Sequence, residues 1–171
     1  MRGRYHPAPM ASADEVELLP DAEQHKLLSA TLERVNRASN LARSAALQAN
    51  AFSGAALRSI VKDEIERAKL PEGFVKPVTD RVEQSLQRRA GKQQKFSTFQ
   101  SLNLPPSAFK WNTSDRVNML TASGRRTIAV RVDKSRGDLR PPLAGRPVML
   151  VFRNQEFELM ATDIERDPDD W

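Results

Sequence analysis

Apolar positions recur every three or four residues through the first half of the chain and every second residue beyond position 105. The pattern therefore predicts helices first and strands later. Leu28, Leu32, Val35, Ala42, Ala45 and Ala49 form a narrow seam of mostly small residues on a helix from 22 to 50. At ~1.5 Å per residue that helix runs roughly 40 Å. Asp21 with Gln24 three residues on has the form of a capping box and marks its start. The face opposite the seam is expected to carry Lys26, Arg34, Asn36, Arg37, Asn40 and Arg43. After Ser53-Gly54, a second helix gathers Leu57, Ile60, Val61, Ile65 and Ala68 on one side, and Leu70-Pro71 breaks it. A third starts near Pro77, which a helix tolerates only in its first turn, buries Val78, Val82 and Leu86, and ends around Gly91.

Alternation then takes over. Phe109 and Trp111 share one face of a strand, as do Val117, Met119 and Thr121 of the next. Ser123-Gly124 supplies a tight turn, and Ile128, Val130 and Val132 line the returning strand. A polar loop over 133–147 leads to a hairpin of strands at 148–153 and 156–164 around Arg153-Asn154-Gln155. Ahead of the helices, Val16, Leu18 and Leu19 mark a short strand that cannot be stable alone. Pairing it with the later strands makes the helices an insertion. The expected class is α+β, a small OB-like wedge β-barrel whose first strand is N-terminal, with three helices inserted. Its parts are a disordered tail at 1–14, the first strand at 15–20, a helical lobe at 21–104, the remaining barrel strands at 105–164 and an acidic tail or linker at 165–171.

Composition narrows the chemistry. The chain of 171 residues has no cysteine, which excludes disulfide scaffolds, thiol catalysis and cysteine zinc sites. Its longest apolar run, Val148 to Phe152, is far short of the ~20 residues of a membrane helix. A cytoplasmic protein with no membrane partner is expected, nucleoid-associated if bacterial. The net charge of +5 is unevenly distributed: residues 1–80 balance, 81–153 carry +11 and 154–171 carry −6. Blocks of one sign mark a polyanion-facing surface or a solubilising tail.

Catalytic patterns are weak. His6 and His25 read as exposed structural histidines, without a G-x-S-x-G elbow. Gly91-Lys92 is followed by Gln93, and Leu86 stands where a phosphate loop needs glycine. The acids from Glu156 to Asp170 crowd the end of the chain, which favours a solvated tail over a metal site. No metal or cofactor is expected. The basic zone is more informative. Arg88, Arg89, Lys92 and Lys95 lead into Phe96 and Phe99, and Lys110 precedes Trp111. Arginine suits bidentate phosphate contacts, and the three aromatics could stack unpaired bases or simply anchor the core.

Several strings, in order, resemble the TnpB family, the transposon-encoded RNA-guided nucleases also described as OrfB-type transposases and related to type V CRISPR effectors. Val16-Glu17-Leu18-Leu19-Pro20-Asp21 and the following residues to Leu28 are similar to that family's opening strand-to-helix passage. Thr31 to Asn40 resembles its first recognition helix, and Leu70-Pro71 with Gln84-Ser85-Leu86 its Leu-Pro segment. Val117 to Val130 resembles its strand–Gly-Arg–strand hairpin, and Gly145 to Ile164 the strands that close its wedge barrel. Glu17 departs from the pattern, since the family commonly has a basic residue there.

The resemblance implies a wedge domain and a recognition lobe that hold guide RNA and the guide–target duplex and help read a short motif beside the target. The catalytic acids of the family's RuvC domain have no counterpart in this sequence, so a non-catalytic RNA- and DNA-binding module is expected. Its partners would be a guide or other structured RNA, a DNA target and, for a split nuclease, a separate RuvC-domain protein. The alternatives are a subunit of a split nuclease, a guide-directed repressor and an unrelated structural α+β domain. The binding residues expected are Arg34, Asn36, Arg37, Asn40, Arg43, Arg88, Arg89, Lys92, Lys95, Lys110, Arg125, Arg126 and Arg131, gathered along one trough. Phe96, Phe99 and Trp111 are the stacking candidates.

Overall fold

Val16 and Leu18 point inward from a five-residue strand, β1 (Glu15–Leu19), as the alternation requires. The computed structural model describes residues 15–88, 95–113, 115–131, 143 and 145–162. The expected tails at 1–14 and 165–171 lie outside these residues, as does most of the 133–147 loop. Asp21 starts α1 (Ala22–Ala49) with the expected capping box: the Gln24 amide donates to Asp21 Oδ1 at 2.8 Å, and the Asp21 amide donates to Gln24 Oε1 at 3.1 Å. Asn50 closes the helix in the left-handed conformation, a φ of 51° that asparagine tolerates better than most residues.

Two shorter helices pack along α1. These are α2 (Gly54–Arg67) and α3 (Val75–Gln87), joined by Leu70-Pro71 and a 3₁₀ turn at Glu72–Phe74. Pro77 falls in the first turn of α3, where its missing N–H costs nothing. The helix ends at Gln87, short of Gly91. The buried seam of α1 also differs from the expected one. Ala38, Ser39 and Ala46 are buried with Leu28, Leu32, Val35 and Ala42, whereas Ala49 is exposed. Small residues there let α2 and α3 approach α1 closely.

The remaining strands are β2 (Leu102–Leu104), β3 (Phe109–Thr113), β4 (Arg116–Thr121), β5 (Gly124–Val130), β6 (Val148–Arg153) and β7 (Glu156–Ala161). All pair antiparallel in the order β2-β6-β7-β1-β5-β4-β3. β1 holds the centre. Glu15 to Glu17 pair with β7, while Leu18 and Leu19 pair with β5. The N-terminal strand thus joins two sets of C-terminal strands, and the helices are an insertion between β1 and the rest.

The described sheet is open, and a closed OB-like barrel is not what these strands form. Its edges, β2 and β3, do not hydrogen-bond to each other. β2 is only three residues long and has α3 beside it. Tight turns follow local chemistry. Asn154 and Gln155 adopt φ of 53° and 64°, the paired positive values of a two-residue hairpin loop. Gly124, with φ of 89°, ends the β4–β5 turn.

The helices and sheet share one core cluster. Three side chains of α1 bind it to the sheet. Thr31 Oγ1 accepts from the buried Ala122 amide at 2.9 Å and donates to the Leu27 carbonyl at 2.7 Å. Gln24 Nε2 donates to the Thr127 carbonyl at 3.0 Å. His25, half-buried instead of exposed, places Nε2 3.1 Å from the Gln155 carbonyl oxygen and its ring edge-on to Phe157. Gly73 lies so close to β4 that a Cβ there would stand 2.7 Å from Leu120 Cδ2.

Replacing Thr31 by Val keeps the volume but strands the Ala122 N–H in the core. Urea denaturation is expected to show a loss of about 1–3 kcal/mol, the cost of an unpaired buried donor. Wild-type stability in Thr31→Val would contradict this link between helix and sheet.

Candidate nucleic-acid interface

Residues four apart on a helix stack on one face, so Lys76, Asp80 and Gln84 form one row of α3 that leads to Arg88 at its C-cap, with Pro77, Arg81 and Ser85 beside it. These rows make one wall of a groove of about 1140 Å³. The opposite wall comes from the sheet: Asn103, Leu104, Pro105 and Pro106 at β2, with Pro147, Met149 and Thr162 near β6 and β7. Lys95, Phe96, Gln100 and Ser101 complete the lining. Four cations, Lys76, Arg81, Arg88 and Lys95, face one acid, Asp80, a net +3. Asp80 is already held by Lys76 at 2.7 Å, which leaves Arg81, Arg88 and Lys95 unneutralised among the described residues.

Arg81 is the most constrained of these. Its guanidinium lies 4.2 Å from the centre of the Phe96 ring. One terminal nitrogen donates to Asn36 Oδ1 at 2.6 Å and the other to the Ser101 carbonyl at 3.3 Å. Burial pushes the group down to about 10, below the usual arginine range, because dehydration disfavours its charged form. A dehydrated cation without a carboxylate makes the groove attractive to anions.

The segment that closes the groove is pinned by two asparagines one turn apart on α1. Asn36 Nδ2 donates to the carbonyls of Thr98 at 2.9 Å and Gln100 at 3.1 Å. Asn40 exchanges two bonds with Phe96, as a paired strand would: Nδ2 donates to the Phe96 carbonyl at 2.9 Å, and the Phe96 amide donates to Oδ1 at 2.8 Å. Asn36 is 1% exposed and faces the core, not the outward face that its position in the helical pattern predicts. The periodicity that located the seam treats every polar residue as outward, although a fully bonded amide can be buried.

The expected binding residues do not gather along one trough. Arg88, Lys95 and Phe96 line the groove, and Arg43 stands behind it, donating through Nε to Ser85 at 2.8 Å. Arg34 donates to the Ala68 carbonyl at 2.5 Å and that of Lys69 at 3.1 Å, closing the end of α2. Arg37 pairs with Glu33 one turn away at 3.2 Å. Arg131 pairs with Glu17 of β1 at 2.7 Å, so its charge is already matched by an acid.

Lys110 and Asn118 are register partners on β3 and β4, and Arg125 donates to Asn118 Oδ1 at 3.2 Å. Arg125 also donates to the Ser107 carbonyl, one residue from the groove lining at Pro106. Arg126 is exposed and folds back on the Arg125 carbonyl. Arg89 and Lys92 lie outside the described residues. Phe99 is exposed and tilted against Phe152, and Trp111 is half-buried, edge-on to Phe109.

Arg81 and Lys76 were missed. Both sit on a helix whose apolar residues drew attention to its core face, yet their spacing to Arg88 was readable. Among the described residues no three metal-ligating side chains cluster, and no helix is long and apolar enough to cross a membrane. No protein-family model matches the chain, and no curated protein matches it.

Removing the clamp should loosen the segment without touching the groove cations. Asn40→Ala is expected to raise hydrogen exchange at the Phe96 amide at least tenfold, equivalent to about 1.4 kcal/mol and within the usual worth of such a bond. Unchanged protection would show that Asn40 does not hold the segment.

Proposed function

We propose that this chain is a non-catalytic nucleic-acid-binding module, comparable to the wedge-plus-recognition half of a TnpB-like RNA-guided nuclease. In this reading the seven strands correspond to the wedge, with the edges of its barrel left apart, and α1 to α3 correspond to the recognition lobe. A guide RNA, or that RNA paired with its DNA target, is the intended ligand. The observation that carries the reading is the groove lining, where Arg81 of α3, Arg88 at its C-cap and Lys95 of the clamped segment stand without acids among the described residues and Arg81 is dehydrated. Phosphate oxygens are the anions that cations spaced along a groove meet best, and guanidinium forks bind them in pairs.

The path has a natural continuation. Arg125 touches the residue after Pro106, so a strand leaving the groove would reach the outer face of the β4–β5 hairpin near Lys110. These contacts position the backbone and carry little sequence information. Any sequence choice would then come from base pairing between guide and target.

Purified at low salt, the protein is expected to carry RNA that high salt removes. Three phosphate contacts give a slope of about −2 in a plot of log affinity against log salt for a single strand. The double reversal Arg88→Glu/Lys95→Glu should weaken RNA binding at least tenfold, while Arg37→Ala, away from the groove, should stay within twofold. Absence of RNA affinity at low salt, or equal affinities for the three proteins, would overturn the proposal.

A further inference from the structure

The groove of the proposed function has two unlike walls, and from that difference we infer that it takes a single strand with its bases against the sheet, not a duplex. Cations come from the helix side, through Arg81 and Arg88, joined by Lys95 from the clamped segment. The sheet side presents Pro105, Pro106 and Pro147, none of them charged. A duplex offers a protein its phosphates and keeps its base faces stacked inside. Set into this groove it would meet the cations but lay a hydrated backbone along a proline-lined wall. A single strand has phosphates along one side and bare bases along the other, and both walls then have a partner.

Size agrees with this assignment. At about 1140 Å³, the space is just above the range of clefts that hold small ligands, roughly 300–1,000 Å³. That suits a few consecutive nucleotides and is small for a double helix. Between Lys76 and Arg88 the α3 wall rises about 18 Å at 1.5 Å per residue, so several phosphates can lie along it. Asn103 and Thr162, exposed on the sheet side, offer hydrogen bonds to base edges without demanding one base.

The inference rests on the nucleic-acid reading and fails separately from it. Fluorescence anisotropy of the full chain at low salt would compare a labelled ten-nucleotide single-stranded RNA with a ten-base-pair RNA duplex of the same sequence. The single strand is expected to bind at least tenfold more tightly, and Arg88→Glu/Lys95→Glu to abolish that preference. Equal or tighter duplex binding would overturn the single-strand assignment while leaving nucleic-acid binding in place. Failure of both ligands to bind would end both readings. A nucleoside 5′-monophosphate that displaced the strand at comparable concentration would make the groove a mononucleotide site and overturn the inference. Displacement only at concentrations a hundredfold higher would support it.

Discussion

A buried amide holds this molecule's groove together. Asn36 lies inside the core and directs its oxygen at Arg81 and its nitrogen at two backbone carbonyls of the 95–101 segment. One side chain thereby fixes α1, α3 and the connection to the sheet in a single arrangement. Buried polar groups are tolerated only when satisfied, and among the described residues every buried side-chain polar atom has a partner. The arrangement also explains why a dehydrated arginine is stable where it is. Its charge meets an amide oxygen, a carbonyl and an aromatic face, each of them neutral. The charge of this groove-lining arginine is therefore not cancelled by an acid among the described residues.

The sheet supplies the second wall through a topological constraint. β1 pairs on both sides, with β7 along its first part and β5 along its last. Without it, the β3–β4–β5 meander and the β2–β6–β7 strands would lose the connection that makes them one sheet. Because β1 leads directly into α1 through the Asp21 cap, the position of the helical layer is set from the same point. Gln24, His25 and Thr31 then repeat the attachment along α1. Groove walls that belong to different layers are kept in register by these short-range links.

Much of this was readable in the residues. The capping box at Asp21 and Gln24, the three helical periods, the alternation of β4 and β5 and the role of the first strand as a partner for later ones all follow from spacing and side-chain type. What escaped was governed by contacts distant in sequence. β2 has only three residues, too few for alternation to register, and it became visible only through its pairing with β6. Closure of a barrel depends on whether two edges meet, which no local pattern encodes. The arginines make the same point. Arg34 and Arg131 look like phosphate ligands in a list of basic residues, yet one closes the end of a helix and the other answers a glutamate. Arg81 stands outside the expected set altogether, because burial against distant segments, not local spacing, sets it apart.

The proposed function places a nucleic-acid strand between α3 and the β2–β6 side of the sheet. Photocrosslinking of the intact protein to a 4-thiouridine-substituted single strand, followed by mass-spectrometric mapping of the adducts, tests it most directly. Adducts are expected on α3 and on residues 95–106, with fewer on the β4–β5 hairpin. A map centred on residues 116–131, with nothing on either groove wall, would contradict it.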